Sequence, residues 1–237
     1  MIATFLVLAC IVVVTALVFS QEKQTPKREP SQTSRTTRSA KPLDTPECRT
    51  AVHEAGHTIA AWMCSAVNKM ELMTVEHKDG GRVSYTIHSA DTPNGLWCLL
   101  VILLSGIAAE ISVYGRTRAA PASSDLIKSR EIAAELVEKD CLIPPWKVPD
   151  RGRTLHFEDM YASPLSSSEA IVLKRAYHMA HAVLSSHEKA HQRVVSMLLT
   201  KKSVGEADVE VILGTRAFTR FVGIIRPTFV MPKSKRE

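Results

Sequence analysis

In the run Ala51-Val52-His53-Glu54-Ala55-Gly56-His57-Thr58-Ile59-Ala60-Ala61-Trp62, two imidazoles stand four residues apart, with a carboxylate directly after the first. On a helix, positions i and i+4 share a face, so His53 and His57 can reach one metal ion. Glu54 then lies beside that ion, where it can take a proton from a water held there. The chemistry this arrangement serves is metal-assisted hydrolysis of an amide, with zinc as the fitting ion. Val52, Ala55, Ile59, Trp62 and Met63 make the rest of the helix apolar, as the floor of a buried site requires. Gly56 lets another backbone approach closely.

The same pattern occurs a second time, at His187-Glu188-Lys189-Ala190-His191. Its surroundings differ: Ser185-Ser186 before it, Lys189 within it, Gln192-Arg193 after it. It falls in a long helical pattern through Leu173, Tyr177, Ala180, Leu184, Val194 and Leu198. His187 and His191 on that stripe read as half-buried helix histidines, so the first copy is the candidate site.

Several elements must position that site. Thr45-Pro46-Glu47 supplies an N-cap, a proline at the first helical position and an early acid, so the histidine helix is expected from there to about Val67. Met70–Glu76 and Arg82–Ile87 flank Lys78-Asp79-Gly80-Gly81, which reads as a β-hairpin whose exposed strand could hold an extended peptide by backbone pairing. Leu96–Ala109 is apolar over about 14 residues, short for a membrane span and suited to a buried core helix. Glu110 closes that run, either as a carboxylate orienting a ligand histidine or as the first exposed residue of the helix. Ser123-Ser124-Asp125-Leu126 opens a further helix. An acid in a first turn favours the helix dipole, and on pattern alone Asp125 is not a ligand.

Residues 1–20 hold an uncharged apolar stretch, Ile2–Ser20, long enough at helical rise to cross a hydrocarbon core of about 30 Å. No basic residue precedes it and Val18-Phe19-Ser20 is a poor cleavage site, so an uncleaved anchor is expected rather than a signal peptide. Residues 21–44 are rich in Ser, Thr, Pro, Lys and Arg and read as a flexible basic linker. Lys23, Lys27, Arg28, Arg35, Arg38 and Lys41 outnumber Glu22 and Glu29 there, which puts the following domain on the cytoplasmic side of a single-pass membrane protein. Five scattered cysteines without CxxC spacing suit a reducing compartment and exclude a thiolate cluster. The net charge of +6 sits largely in the linker without interleaved aromatics, which argues against nucleic acid as a partner. Residues 45–214 suit one domain with its own core, and 215–237 a C-terminal tail.

His53-Glu54-Ala55-Gly56-His57, Ser105-Gly106-Ile107-Ala108-Ala109-Glu110, Tyr114-Gly115 and Ser123-Ser124-Asp125-Leu126, followed by Arg130-Glu131-Ile132-Ala133, stand in this order. Later come Leu198-Leu199 and Val204-Gly205-Glu206-Ala207. Together, over roughly residues 46–213, they resemble the peptidase domain of the FtsH family, M41-type zinc metallopeptidases. The resemblance implies a mainly helical, zincin-like domain carrying a small β-hairpin. It also implies that Asp125 is the third zinc ligand beside His53 and His57, with Glu54 as general base. The chain departs from the family at Ile107 and Ile111, where an arginine and a second acid are usual, and at Ala120-Pro121 in place of Thr-Gly. No GxxxxGK[ST] phosphate loop occurs, so an AAA ATPase module of the kind family members carry is not expected in these residues.

The function expected is that of a membrane-anchored zinc metalloendopeptidase. Its substrates would be unfolded or membrane-proximal proteins and peptides, and its partners a homo-oligomer or a separate AAA ATPase. A non-catalytic adaptor with a peptidase-like fold is the alternative of another class. An intramembrane metalloprotease would need several spans holding the site at membrane depth, and only one full-length span is evident.

Overall fold

The computed structural model describes residues 43–77, 80–88, 90–118, 123–139, 160–161 and 163–216, all within the compact unit Lys41–Glu237. The expected anchor, nearly all of the linker, and the tail beyond residue 216 lie outside the described residues.

Helix α1, Pro46–Met63, begins as its sequence dictates: the Thr45 hydroxyl accepts from Cys48 N–H and proline takes the first position. It stops four residues short of the expected end. Cys64 turns extended, and Val67 already starts strand β1, Val67–His77. Strand β2, Gly80–Ile87, pairs antiparallel with β1, with Met73 opposite Val83 and Thr74 opposite Arg82. The expected hairpin is therefore present, longer at both ends and irregular in register.

Helix α2, Pro93–Tyr114, is capped by the Thr92 side chain and ended by Gly115 at φ 76. It is long and apolar enough to cross a membrane, yet Leu100, Val101, Ile102, Leu104, Ile107 and Ala108 are wholly buried among the other elements. In this fold it is a core helix. It crosses α1 at Gly56, where a Cβ would come within 2.6 Å of the Ser105 carbonyl oxygen and 2.8 Å of Ala109 Cβ. No larger residue fits there without moving the helices apart.

Helix α3, Ser124–Glu138, turns Leu126, Ile132, Ala133 and Leu136 inward, while Ile127 is exposed on the other side. Helix α4, Ser167–Ser186, opens with a reciprocal Ser166/Glu169 capping box. Helix α5, Glu188–Lys201, follows after a break at His187, where φ −122 and ψ 27 interrupt the ladder. The long helical pattern is thus two helices. Strand β3, Ser203–Val204, then pairs antiparallel with β1, giving the sheet order β2-β1-β3, and helix α6, Glu206–Leu213, closes the described chain. The architecture is α-dominated, with a three-stranded sheet at one side.

Candidate metal centre

Helix α1 supplies two rings on one face. The His53 and His57 rings stand edge to face, 83° apart with centroids 4.6 Å from each other, and their Nε2 atoms approach to 2.9 Å. Asp125, in the first turn of α3, brings Oδ2 to 2.9 Å from His53 Nε2 and 3.2 Å from His57 Nε2. These three atoms form one triangle, and among the described residues they make up the one group of three side chains suited to a metal. Zinc–nitrogen bonds are about 2.0–2.1 Å, so the ligand atoms of a tetrahedral shell lie roughly 3.3 Å apart. The triangle is close to that size.

The outward nitrogens decide what the triangle can hold. His57 Nδ1 lies 2.7 Å from the Ile102 carbonyl oxygen, which can only accept, so Nδ1 carries the proton. His53 Nδ1 lies 2.8 Å from Glu110 Oε1, again an acceptor. In the neutral rings both Nε2 atoms therefore point lone pairs at each other and at the Asp125 carboxylate. Three lone pairs at such distances repel unless a proton or a metal cation sits among them. The electrostatics agree. Burial acts against a charged His53, but the Asp125 and Glu110 carboxylates outweigh it and lift the ring's pKa to about 10. Burial likewise opposes the Asp125 carboxylate, and the two rings more than offset it, holding its pKa well below the usual range. The cluster has the affinity for positive charge that a metal site needs.

Glu54 points from the next position on α1 and is 6% exposed. Its pKa is raised, chiefly because burial disfavours the carboxylate. Two glycines crowd this centre. A Cβ on Gly106 of α2 would lie 2.6 Å from His53 Nε2 and 2.7 Å from His57 Nε2, and a Cβ on Gly81 of β2 would collide with the Glu54 carboxyl group. The core helix and the hairpin thus press backbone, not side chains, against the two rings and the Glu54 carboxyl group.

Glu110 is 5% exposed rather than on the surface. It takes the His53 Nδ1–H on one oxygen and the Arg118 backbone N–H on the other, at 2.9 Å. Sequence had left its role open between two readings, and these bonds match the orienting one. The second histidine pair goes elsewhere: His187 Nδ1 donates to the Val183 carbonyl at 2.8 Å, and His191 Nε2 donates to the Val52 carbonyl at 3.0 Å. His191 is buried, and burial lowers its pKa. The two rings of this pair do not converge on a common point. Arg49 escaped the sequence reading, and Gly81 and Gly106 were read only as parts of a turn and of a motif, because an arginine and two glycines carry no signal of a site until α1 has neighbours.

A helix bearing two histidines and a glutamate, met by an aspartate from another helix, is the geometry of a metallopeptidase-type centre. A family model, Peptidase family M41, matches residues 44–212, and the chain belongs to that family. Among its relatives are the ATP-dependent zinc metalloprotease FtsH of Corynebacterium glutamicum, 24% identical over 182 residues, which cover 69% of this chain and 21% of that protein. FtsH 1 of Rhodopirellula baltica, of the same description, is 26% identical over 192 residues, covering 73% of this chain and 28% of the relative. The human ATP-dependent zinc metalloprotease YME1L1 is 24% identical over 170 residues, covering 69% and 22%. The chain thus aligns with about a quarter of the length of these curated relatives.

Proposed function

We propose that this chain is a zinc-dependent endopeptidase that cleaves unfolded or membrane-proximal proteins and peptides. His53, His57 and Asp125 hold the metal in this reading. Zinc held by these residues would supply an acidified water, of pKa about 7, and a Lewis acid for the scissile carbonyl. Glu54 accepts a proton from that water and returns it to the leaving nitrogen. Its pKa is raised by burial, which makes the carboxylate a stronger base toward that proton. Glu110 and the Ile102 carbonyl keep both rings in the tautomer that leaves Nε2 free for the metal. The outer edge of β2, the terminal strand of the sheet, lies beside Glu54 and offers unpaired backbone groups to an extended chain.

The observation that carries this reading is the meeting of His53 Nε2, His57 Nε2 and Asp125 Oδ2 within 3.2 Å of one another. Ile2–Ser20 anchors the protein as a single span, with the peptidase domain on the cytoplasmic side. Residues 1–237 contain no phosphate-binding loop of the GxxxxGK[ST] type, so any ATP-driven unfolding is supplied from outside them. The test is Glu54→Gln in the full chain with an unstructured protein substrate. Cleavage should vanish while zinc content stays at one ion per chain, and a chelator should abolish parent activity until zinc is restored. Cleavage at the parent rate by the variant would rule the mechanism out.

A further inference from the structure

The first turn of α1 carries an arginine that is only 4% exposed. A guanidinium at that depth is costly unless opposite charge and hydrogen-bond acceptors surround it. Arg49 has both. Its Nε and Nη2 grip the two oxygens of Asp44 at 2.5 and 2.9 Å. Its Nη1 lies 3.4 Å from Glu110 Oε2 and 3.4 Å from the Arg116 carbonyl oxygen, and its central carbon stands 4.3 Å over the Tyr114 ring.

Glu110 is thereby fixed from every side. One oxygen receives the His53 proton donor, and the other receives the Arg118 backbone N–H and faces Arg49. Both partners of the Arg49–Glu110 pair are nearly sealed from solvent, with side chains 4% and 7% exposed, so water screens their attraction little. The geometry is one that a planar fork can provide and an ammonium cannot, since two carboxylates are engaged by different edges of one group.

Building on the metal-site reading above, we propose that Arg49 is a positioning residue of that site. It holds the Glu110 carboxylate where it orients the His53 ring, and Asp44 holds Arg49 in turn. Without the guanidinium, Glu110 keeps a buried negative charge supported by fewer donors. The His53 ring then loses its fixed pose, although metal ligands must be placed to within about 0.2 Å. Changes in groups that orient metal ligands typically weaken binding 10- to 100-fold.

The experiment measures zinc dissociation constants of the full chain by chelator competition, and the visible spectrum of the cobalt-substituted protein. The variants are Arg49→Met, Arg49→Lys, Asp44→Asn, Glu110→Gln and the Arg49→Met/Glu110→Gln double variant. Arg49→Met should weaken zinc binding about tenfold or more and shift the cobalt spectrum while far-UV circular dichroism is unchanged. Arg49→Lys should recover little of the loss. The double variant should bind no more weakly than Glu110→Gln alone, because Arg49 acts through that carboxylate. Parent-like affinity and spectrum in folded Arg49→Met, or losses at Arg49 and Glu110 that simply add, would overturn the proposal. Should Arg49→Met not fold, Asp44→Asn decides. Asp44 is 40% exposed, and its loss should weaken zinc in the same direction by a smaller factor, whereas parent affinity there counts against the proposal. A parent chain that takes up no zinc would overturn the peptidase reading itself, a result distinct from a zinc-binding parent with an indifferent Arg49.

Discussion

Gly106→Ala adds one methyl group and removes nothing. Its Cβ would sit 2.6 Å from His53 Nε2 and 2.7 Å from His53 Cε1 and His57 Nε2, while ordinary contact begins near 3.4 Å. Bringing the closest pair from 2.6 to 3.4 Å requires a shift of about 0.8 Å, four times the tolerance of roughly 0.2 Å for a metal ligand. Both rings are tethered at Nδ1 and cannot rotate away freely. The metal-free domain feels two opposing effects: alanine favours a helix interior over glycine by about 1 kcal/mol, and crowding costs about 1–3 kcal/mol. Its net change should be a loss of no more than about 2 kcal/mol. Zinc affinity, in contrast, should fall more than 100-fold, since a direct ligand moves and not merely a group behind it. Urea unfolding of the metal-free chain and chelator competition on the loaded chain separate the two effects. Parent zinc affinity in a folded Gly106→Ala chain would refute the placement of α2 against the rings.

The hairpin glycine makes the complementary case: Gly81→Ala crowds Glu54 and not the ligands, so turnover should drop at least tenfold with zinc content unchanged. Zinc at 100 times its dissociation constant should stabilise the parent by about 2.7 kcal/mol, a rise in melting temperature of several degrees. In Asp125→Asn most of that rise should disappear, as calorimetry with and without zinc would show. His191 is buried neutral with a lowered pKa, so the unfolded chain takes up its proton first as pH falls below the usual histidine value. Stability from this group is complete above about pH 6.5 and is lost as pH drops below it. His191→Gln should therefore flatten the pH dependence of unfolding between pH 6.5 and 5, by up to about 1.4 kcal/mol per pH unit, in denaturant titrations of both proteins.

Local chemistry was readable in the chain wherever it depended on neighbours in sequence. Thr45 and Pro46 marked the start of α1, spacing alone put His53 and His57 on one face, and the apolar run before Glu110 marked the core helix. What depended on distant packing was not. Asp125 lies 72 residues from His53, and nothing in a first-turn acid tells a ligand from a dipole-friendly residue. The family resemblance, not the pattern, pointed to it. The expected extension of α1 to Val67 failed because β1 claims that residue for the sheet. Two-residue β3 has no periodicity to read, and it forms because Lys202, at φ 64, turns the chain back onto β1. Arg49 looked like any charged residue near a helix start until Asp44, Glu110 and Tyr114 enclosed it.

Helices α1 and α3 both pack against α2 and share little surface with one another. The aspartate–histidine triangle is the joint between them. An ion held there would tie together two helices that otherwise meet only through their common support on α2 and α4.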